Sequence, residues 1–65
     1  MKIRCNDHEK TVRAKNLDKV LLELGYNTEI VATALNGEFV PRHLRSDTSL
    51  QAGDQLDVLA PMQGG

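Results

Sequence analysis

Apolar and polar positions alternate at the start of the chain and predict a β-hairpin. Over residues 1–6 the odd positions are apolar and the even positions polar, which is the pattern of a half-buried strand. The polar residues 6–9 suit a turn, because Asn and Asp tolerate left-handed backbone conformations. Alternation resumes over residues 10–14, so we expect a second short strand paired with the first.

The period then changes to that of an amphipathic helix. Asn16 is the expected N-cap, since its side chain can accept a hydrogen bond from a free backbone N–H of the first turn. Gly25 is the expected end, because glycine adopts a positive φ at little cost. Four apolar residues between them share one helical face: Leu17, Val20, Leu21 and Leu24.

Short strands separated by turns are expected after the helix. Residues 30–35 are mostly β-branched or small, and Asn36-Gly37 favours a tight turn into a strand over residues 38–40. Pro41 ends that strand because it cannot donate a hydrogen bond to a neighbouring strand.

The remaining pattern predicts a final strand and, with it, the fold class. Residues 42–49 are polar and look irregular, with Leu44 as the expected apolar anchor. A turn over residues 52–54 precedes alternation over residues 55–60. A single amphipathic helix must then cover one face of a mixed sheet of four to five strands. We therefore expect an α+β protein with the β-grasp, or ubiquitin-like, fold.

Size and charge exclude several classes of function. The 65 residues form one small domain over residues 1–65, of a size that buries only about 60% of the unfolded chain's surface. The net charge of −1 and the two aromatic residues argue against nucleic-acid binding. No apolar run approaches the roughly 20 residues that a membrane span needs. We expect a soluble, cytoplasmic protein without a signal peptide.

The C-terminal residues Gly64-Gly65 are the most informative feature of the sequence. Residues 62–65 follow Pro61 without an anchoring apolar run, so we expect a flexible tail. Two residues without Cβ atoms could enter a narrow channel in a partner. The Gly65 carboxylate at the tip is a poor electrophile and needs activation. Alternatively, the two glycines are an inert frayed end.

Three stretches of the chain carry a resemblance to a known family. They are residues 3–7, residues 34–42, and residues 53–58 leading into Gly64-Gly65. In their order and spacing they resemble the ubiquitin-like sulfur carriers, which include the thiamine carrier ThiS and the molybdopterin synthase subunit MoaD. The short length is more similar to ThiS.

The resemblance implies a mechanism and a set of partners. A ThiF-like adenylyltransferase would use ATP and Mg²⁺ to adenylate the Gly65 carboxylate, with Gly64 as its steric companion. A sulfur donor such as a cysteine desulfurase would then replace AMP, leaving a thiocarboxylate. A ThiG-like thiazole synthase would accept the sulfur. The carrier itself would be no enzyme, with no catalytic residues, no metal and no cofactor of its own.

Strand alternation predicts where such partners dock. If Leu56 and Val58 face the helix, the side chains between and beyond them lie on the open face of the sheet, next to the tail. Arg4 and Arg13 are expected to flank that patch. The predicted partner-binding residues on this face and in the tail are Ala32, Ala34, Asp57, Leu59, Met62 and Gln63.

Other interpretations remain open at the level of sequence. The sulfur acceptor could be molybdopterin or another metabolite, or the chain could be a non-covalent β-grasp interaction module with an inert tail. A stand-alone enzyme would need a polar cluster that the sequence lacks. Cys5 falls on the apolar side of the first strand, so we expect core packing rather than chemistry.

Overall fold

Five strands form one mixed sheet in residues 1–60, the part of the chain that the computed structural model describes. One α-helix and one 3₁₀ helix (Arg42–Asp47) accompany the sheet. The elements in chain order are β1 (Lys2–Cys5), β2 (His8–Thr11), α1 (Leu17–Glu23), β3 (Ala32–Leu35), β4 (Glu38–Val40) and β5 (Gln55–Leu59).

The strand order across the sheet is β2-β1-β5-β3-β4. β1 and β5 run parallel at the centre, and the other neighbouring pairs are antiparallel. α1 packs its apolar stripe against one face and leaves the other face open. This arrangement confirms the predicted α+β architecture with the β-grasp fold. The predicted flexible tail, residues 62–65, lies outside the described residues.

The first hairpin turn is shorter than the sequence predicts. Only Asn6 and Asp7 form it, with φ angles of 51° and 68°. A two-residue turn with positive φ at both positions matches the twist of the flanking strands. His8 pairs with Cys5 across the hairpin, so the second strand starts at residue 8 and ends at residue 11. The prediction of a turn over residues 6–9 and a strand over residues 10–14 was therefore wrong in the bounds of both elements.

The helix follows its sequence signals at both ends. The Asn16 side chain accepts a hydrogen bond from the Lys19 backbone N–H at 2.8 Å, as expected for the N-cap. Gly25 follows the helix with φ 89°, which confirms the predicted stop.

The core lies between α1 and the sheet. Cys5 is buried there as predicted, as a member of the apolar core cluster. The buried apolar residues are Ile3, Cys5, Val12, Leu17, Val20, Leu21, Val31, Val40, Leu50, Leu56 and Val58.

Two expectations for the second half of the chain were wrong. The predicted strand from Ile30 starts only at Ala32, because a turn occupies the residues before it. The stretch expected to be irregular contains the 3₁₀ helix, and Leu44 is not its anchor, since its side chain is 43% exposed. Arg45 is the buried residue of that helix instead.

Candidate functional site

The register of β3 and β5 brings four of the predicted partner-binding residues together. Ala32 lies opposite Leu59, and Ala34 lies opposite Asp57. Their neighbours along the strands point into the core, so these four lie on the open face of the sheet. The structure thus places them on one surface, while their role in binding a partner stays a prediction.

Two large apolar side chains dominate this open face. Leu59 is 74% exposed and Phe39 is 69% exposed. Phe39 lies opposite Ala34 in the β3–β4 ladder, so it belongs to the same surface. Sequence reasoning missed it, although the signal was present: Val40 faces inward, so its neighbour in the strand must face outward.

These side chains line a shallow apolar depression on the open face. We call Ala32, Ala34, Phe39, Asp57 and Leu59 the sheet-face patch. Asp57 contributes its single carboxylate, which accepts a hydrogen bond from the Gln55 side chain at 3.3 Å. An apolar surface with one charge at its border is typical of a docking surface.

Only one of the two arginines expected beside the patch lies near it. Arg4 is on the open face of β1, next to β5, and its guanidinium donates to the Asp7 carbonyl at 2.9 Å. Arg13 follows β2, at the opposite edge of the sheet, and its backbone N–H binds the Glu23 carboxylate. The prediction for Arg13 was wrong because the strand order carries it away from β5.

A second depression lies where β5 ends. It is lined by the segment from Glu29 to Ala32 on one side and by Leu59 and Ala60 on the other. Ala60 is the last described residue, so this surface adjoins the predicted tail. We call it the tail-root cleft. Four predicted site residues lie outside the described residues: Met62, Gln63, Gly64 and Gly65.

The Asn6 side chain holds the end of β5 in place. Its amide nitrogen donates to the Val58 carbonyl at 3.1 Å, and its oxygen accepts from the Val58 backbone N–H at 2.8 Å. A turn residue thus continues the pairing of the two parallel strands by one more position. Because Leu59 follows directly, this contact orients the residue that borders both the sheet-face patch and the tail-root cleft.

Two groups with shifted pKa values lie away from the open face. A hydrogen bond with the Cys5 thiol, at 3.6 Å, and partial burial raise the pKa of the Tyr26 hydroxyl. Hydrogen bonds from the backbone N–H groups of Ala14 and Arg13 lower the pKa of the Glu23 carboxyl. Neither group points to acid–base catalysis, since both are explained by contacts that stabilise the fold.

Within residues 1–60, no three His, Cys, Asp or Glu side chains come close enough to share a metal ion. In that range no helix has the length and apolar character needed to cross a bilayer.

Comparison with known proteins gives a consistent result. The model of the ThiS family matches residues 3–65. A crystal structure of the thiamine biosynthesis protein ThiS from Geobacter metallireducens superposes with a TM-score of 0.83 at 30% identity, covering 100% of both chains. A solution structure of the same Geobacter metallireducens protein gives a TM-score of 0.82 at 30% identity, over 100% of this chain and 88% of the other. No protein of curated function matches the chain.

Proposed function

The chain belongs to the ThiS family, and on that premise we propose that it carries sulfur in thiamine biosynthesis as a thiocarboxylate on Gly65. The observation that carries the proposal is the extent of the family match, which continues through the two terminal glycines. The likeness to the thiamine biosynthesis protein of Geobacter metallireducens, in both of its solved structures, supports the same pathway.

The proposed chemistry begins at the Gly65 carboxylate. A carboxylate oxygen attacks the α-phosphorus of ATP on a Mg²⁺-dependent, ThiF-like adenylyltransferase, and pyrophosphate leaves. The product is an acyl-adenylate, whose leaving group, AMP, is far better than oxide. The outer sulfur of a persulfide on a donor such as a cysteine desulfurase attacks the acyl carbon and displaces AMP, which leaves an acyl disulfide between Gly65 and the donor cysteine. A thiol reductant then attacks the donor cysteine sulfur, forms a disulfide with it and releases the acyl group as a thiocarboxylate. The resulting thiocarboxylate donates its sulfur to a ThiG-like thiazole synthase.

The carrier contributes geometry to this reaction rather than catalytic groups. Six residues follow Leu59, and an extended chain of that length spans about 20 Å. A partner that docks on the sheet-face patch can therefore hold its active site up to that distance from the strand end. Gly64 and Gly65 present no side chain that would obstruct a narrow entrance. ATP and Mg²⁺ would be held by the adenylyltransferase.

The test is mass spectrometry of the protein after incubation with ATP and a cell extract that loads a known carrier. Intact mass first establishes that the mature chain ends at Gly65. Replacement of one oxygen by sulfur is the expected change, and alkylation followed by fragmentation assigns it to Gly65. Fragmentation is needed because oxidation of Met62 adds nearly the same nominal mass.

Two variants serve as controls in that experiment. Deletion of Gly65 removes the proposed site, and extension of the chain beyond Gly65 blocks its carboxylate. Both are expected to abolish the modification without altering the folded domain. An unmodified Gly65, in an extract that loads a known carrier, would contradict the proposal and favour an interaction module with an inert tail.

A further inference from the structure

Arg45 is the one charged side chain among residues 1–60 that is almost fully buried, with 2% exposure. It projects from the 3₁₀ helix into the space beneath β3. Its Nη1 donates to the Thr28 carbonyl at 2.8 Å and its Nη2 to the Val31 carbonyl at 2.6 Å. Its Nε donates to the Thr33 hydroxyl at 3.3 Å.

The acceptors around this cation are all neutral. Within residues 1–60 the guanidinium forms no ion pair with a carboxylate. The Thr33 hydroxyl in turn donates to the Val40 carbonyl at 3.0 Å, which extends the network to β4. Burial of a cation is costly, and an apolar side chain of similar volume often serves stability as well or better. A guanidinium at this position therefore indicates that its hydrogen bonds serve to fix the conformation of the surrounding backbone.

The geometry that Arg45 controls is that of the segment before β3. Two of its three acceptors are carbonyls at residues 28 and 31, which bracket Glu29 and Ile30. That segment forms one wall of the tail-root cleft, and Ile30 presents an exposed side chain there. A planar group with several donors in fixed directions can hold two carbonyls at a set spacing, which a single hydrogen bond cannot.

We propose that Arg45 is a positioning residue for partner docking at the root of the tail. Its guanidinium holds residues 28–31 so that Ile30 and Ala32 meet the activating enzyme beside Leu59. This role rests on the proposed function, because it assumes that an adenylating partner engages the tail.

The test is the variant Arg45→Met, assayed with the purified adenylyltransferase by ATP-dependent pyrophosphate release. We expect the KM for the carrier to rise about tenfold with kcat nearly unchanged, since docking contacts are lost and the reacting carboxylate is intact. Amide hydrogen exchange over residues 28–31 is expected to accelerate, while exchange in α1 stays as in the wild type. Arg13→Met is the matched control, because it makes the same change at an exposed site far from the cleft.

The possible outcomes separate this proposal from the proposed function. A wild-type chain that is never adenylated refutes the function and this role together. Normal loading of the wild type with an unchanged KM for Arg45→Met refutes the role of Arg45 alone, as does a fall in kcat without a change in KM. Should Arg45→Met fail to fold, Arg45→Lys keeps a buried cation that cannot reach all three acceptors, and the same rise in KM is expected.

Discussion

Leu59→Ala tests whether the sheet-face patch is a docking surface. The side chain is 74% exposed in the free protein, so its removal leaves no cavity in the core. We expect the free energy of unfolding to change by no more than about 0.5 kcal/mol, the usual range for surface substitutions. The effect should appear when the partner binds.

The size of that effect follows from the area that remains to be buried. Full burial of a leucine side chain is worth about 1.5–3 kcal/mol. With three-quarters of the side chain still exposed, docking can gain about 1–2 kcal/mol from it. This corresponds to a roughly 5- to 30-fold rise in the KM for the carrier during adenylation, with kcat nearly unchanged.

The assay combines adenylation kinetics with urea denaturation of the same variant. Leu22→Ala is the matched control, because Leu22 is 61% exposed on α1, which covers the other face of the sheet. Its KM is expected to equal that of the wild type. Equal KM values for Leu59→Ala and the wild type, in a protein of unchanged stability, would refute the assignment of the patch. Equal rises in both variants would show a general surface effect instead.

Two further predictions concern the fold that presents this surface. Asn6→Ala should lower the free energy of unfolding by about 2 kcal/mol, since two hydrogen bonds to the Val58 backbone are lost, and an unchanged urea midpoint would argue against that contact. The Glu23 carboxyl should titrate below the range of an unstructured glutamate in a carbon-detected NMR titration, because the N–H groups of Ala14 and Arg13 bind its charged form. Because the pKa of Glu23 is lower in the folded than in the unfolded protein, these hydrogen bonds stabilise the fold at pH values above the unfolded pKa. That contribution to the free energy of unfolding is lost as the pH falls through the folded pKa. A titration midpoint in the ordinary range would contradict the prediction.

The local signals were the most reliable part of the sequence. Asn16 and Gly25 bound the helix because capping depends on residues within one turn of each end. Strand alternation likewise assigned Ala32 and Leu59 to the open face, since the period of two leaves little choice once one face is apolar. Where alternation was not followed through, at Phe39, a residue of the patch was missed.

Longer-range relations could not be read in this way. The Asn6 side chain binds Val58, which is 52 positions away, and no local pattern identifies that partner. Arg13 was misplaced for a related reason, because the strand order decides which edge of the sheet it occupies. A polar run that looked irregular proved to bury Arg45, since its acceptors are carbonyls that only the folded chain brings together.

Neighbouring residues specify the helix and the faces of the strands, because hydrophobic periodicity and helix caps are local properties of the chain. Only the folded chain brings together the surface beside Leu59. Parallel pairing of β1 with β5 places the end of β5 beside Asn6. Pairing of β3 with β4 and β5 places Ala34 and Phe39 on the same face of the sheet as Leu59. These contacts join distant parts of the chain, so their geometry exists only once burial of the common core has aligned the strands.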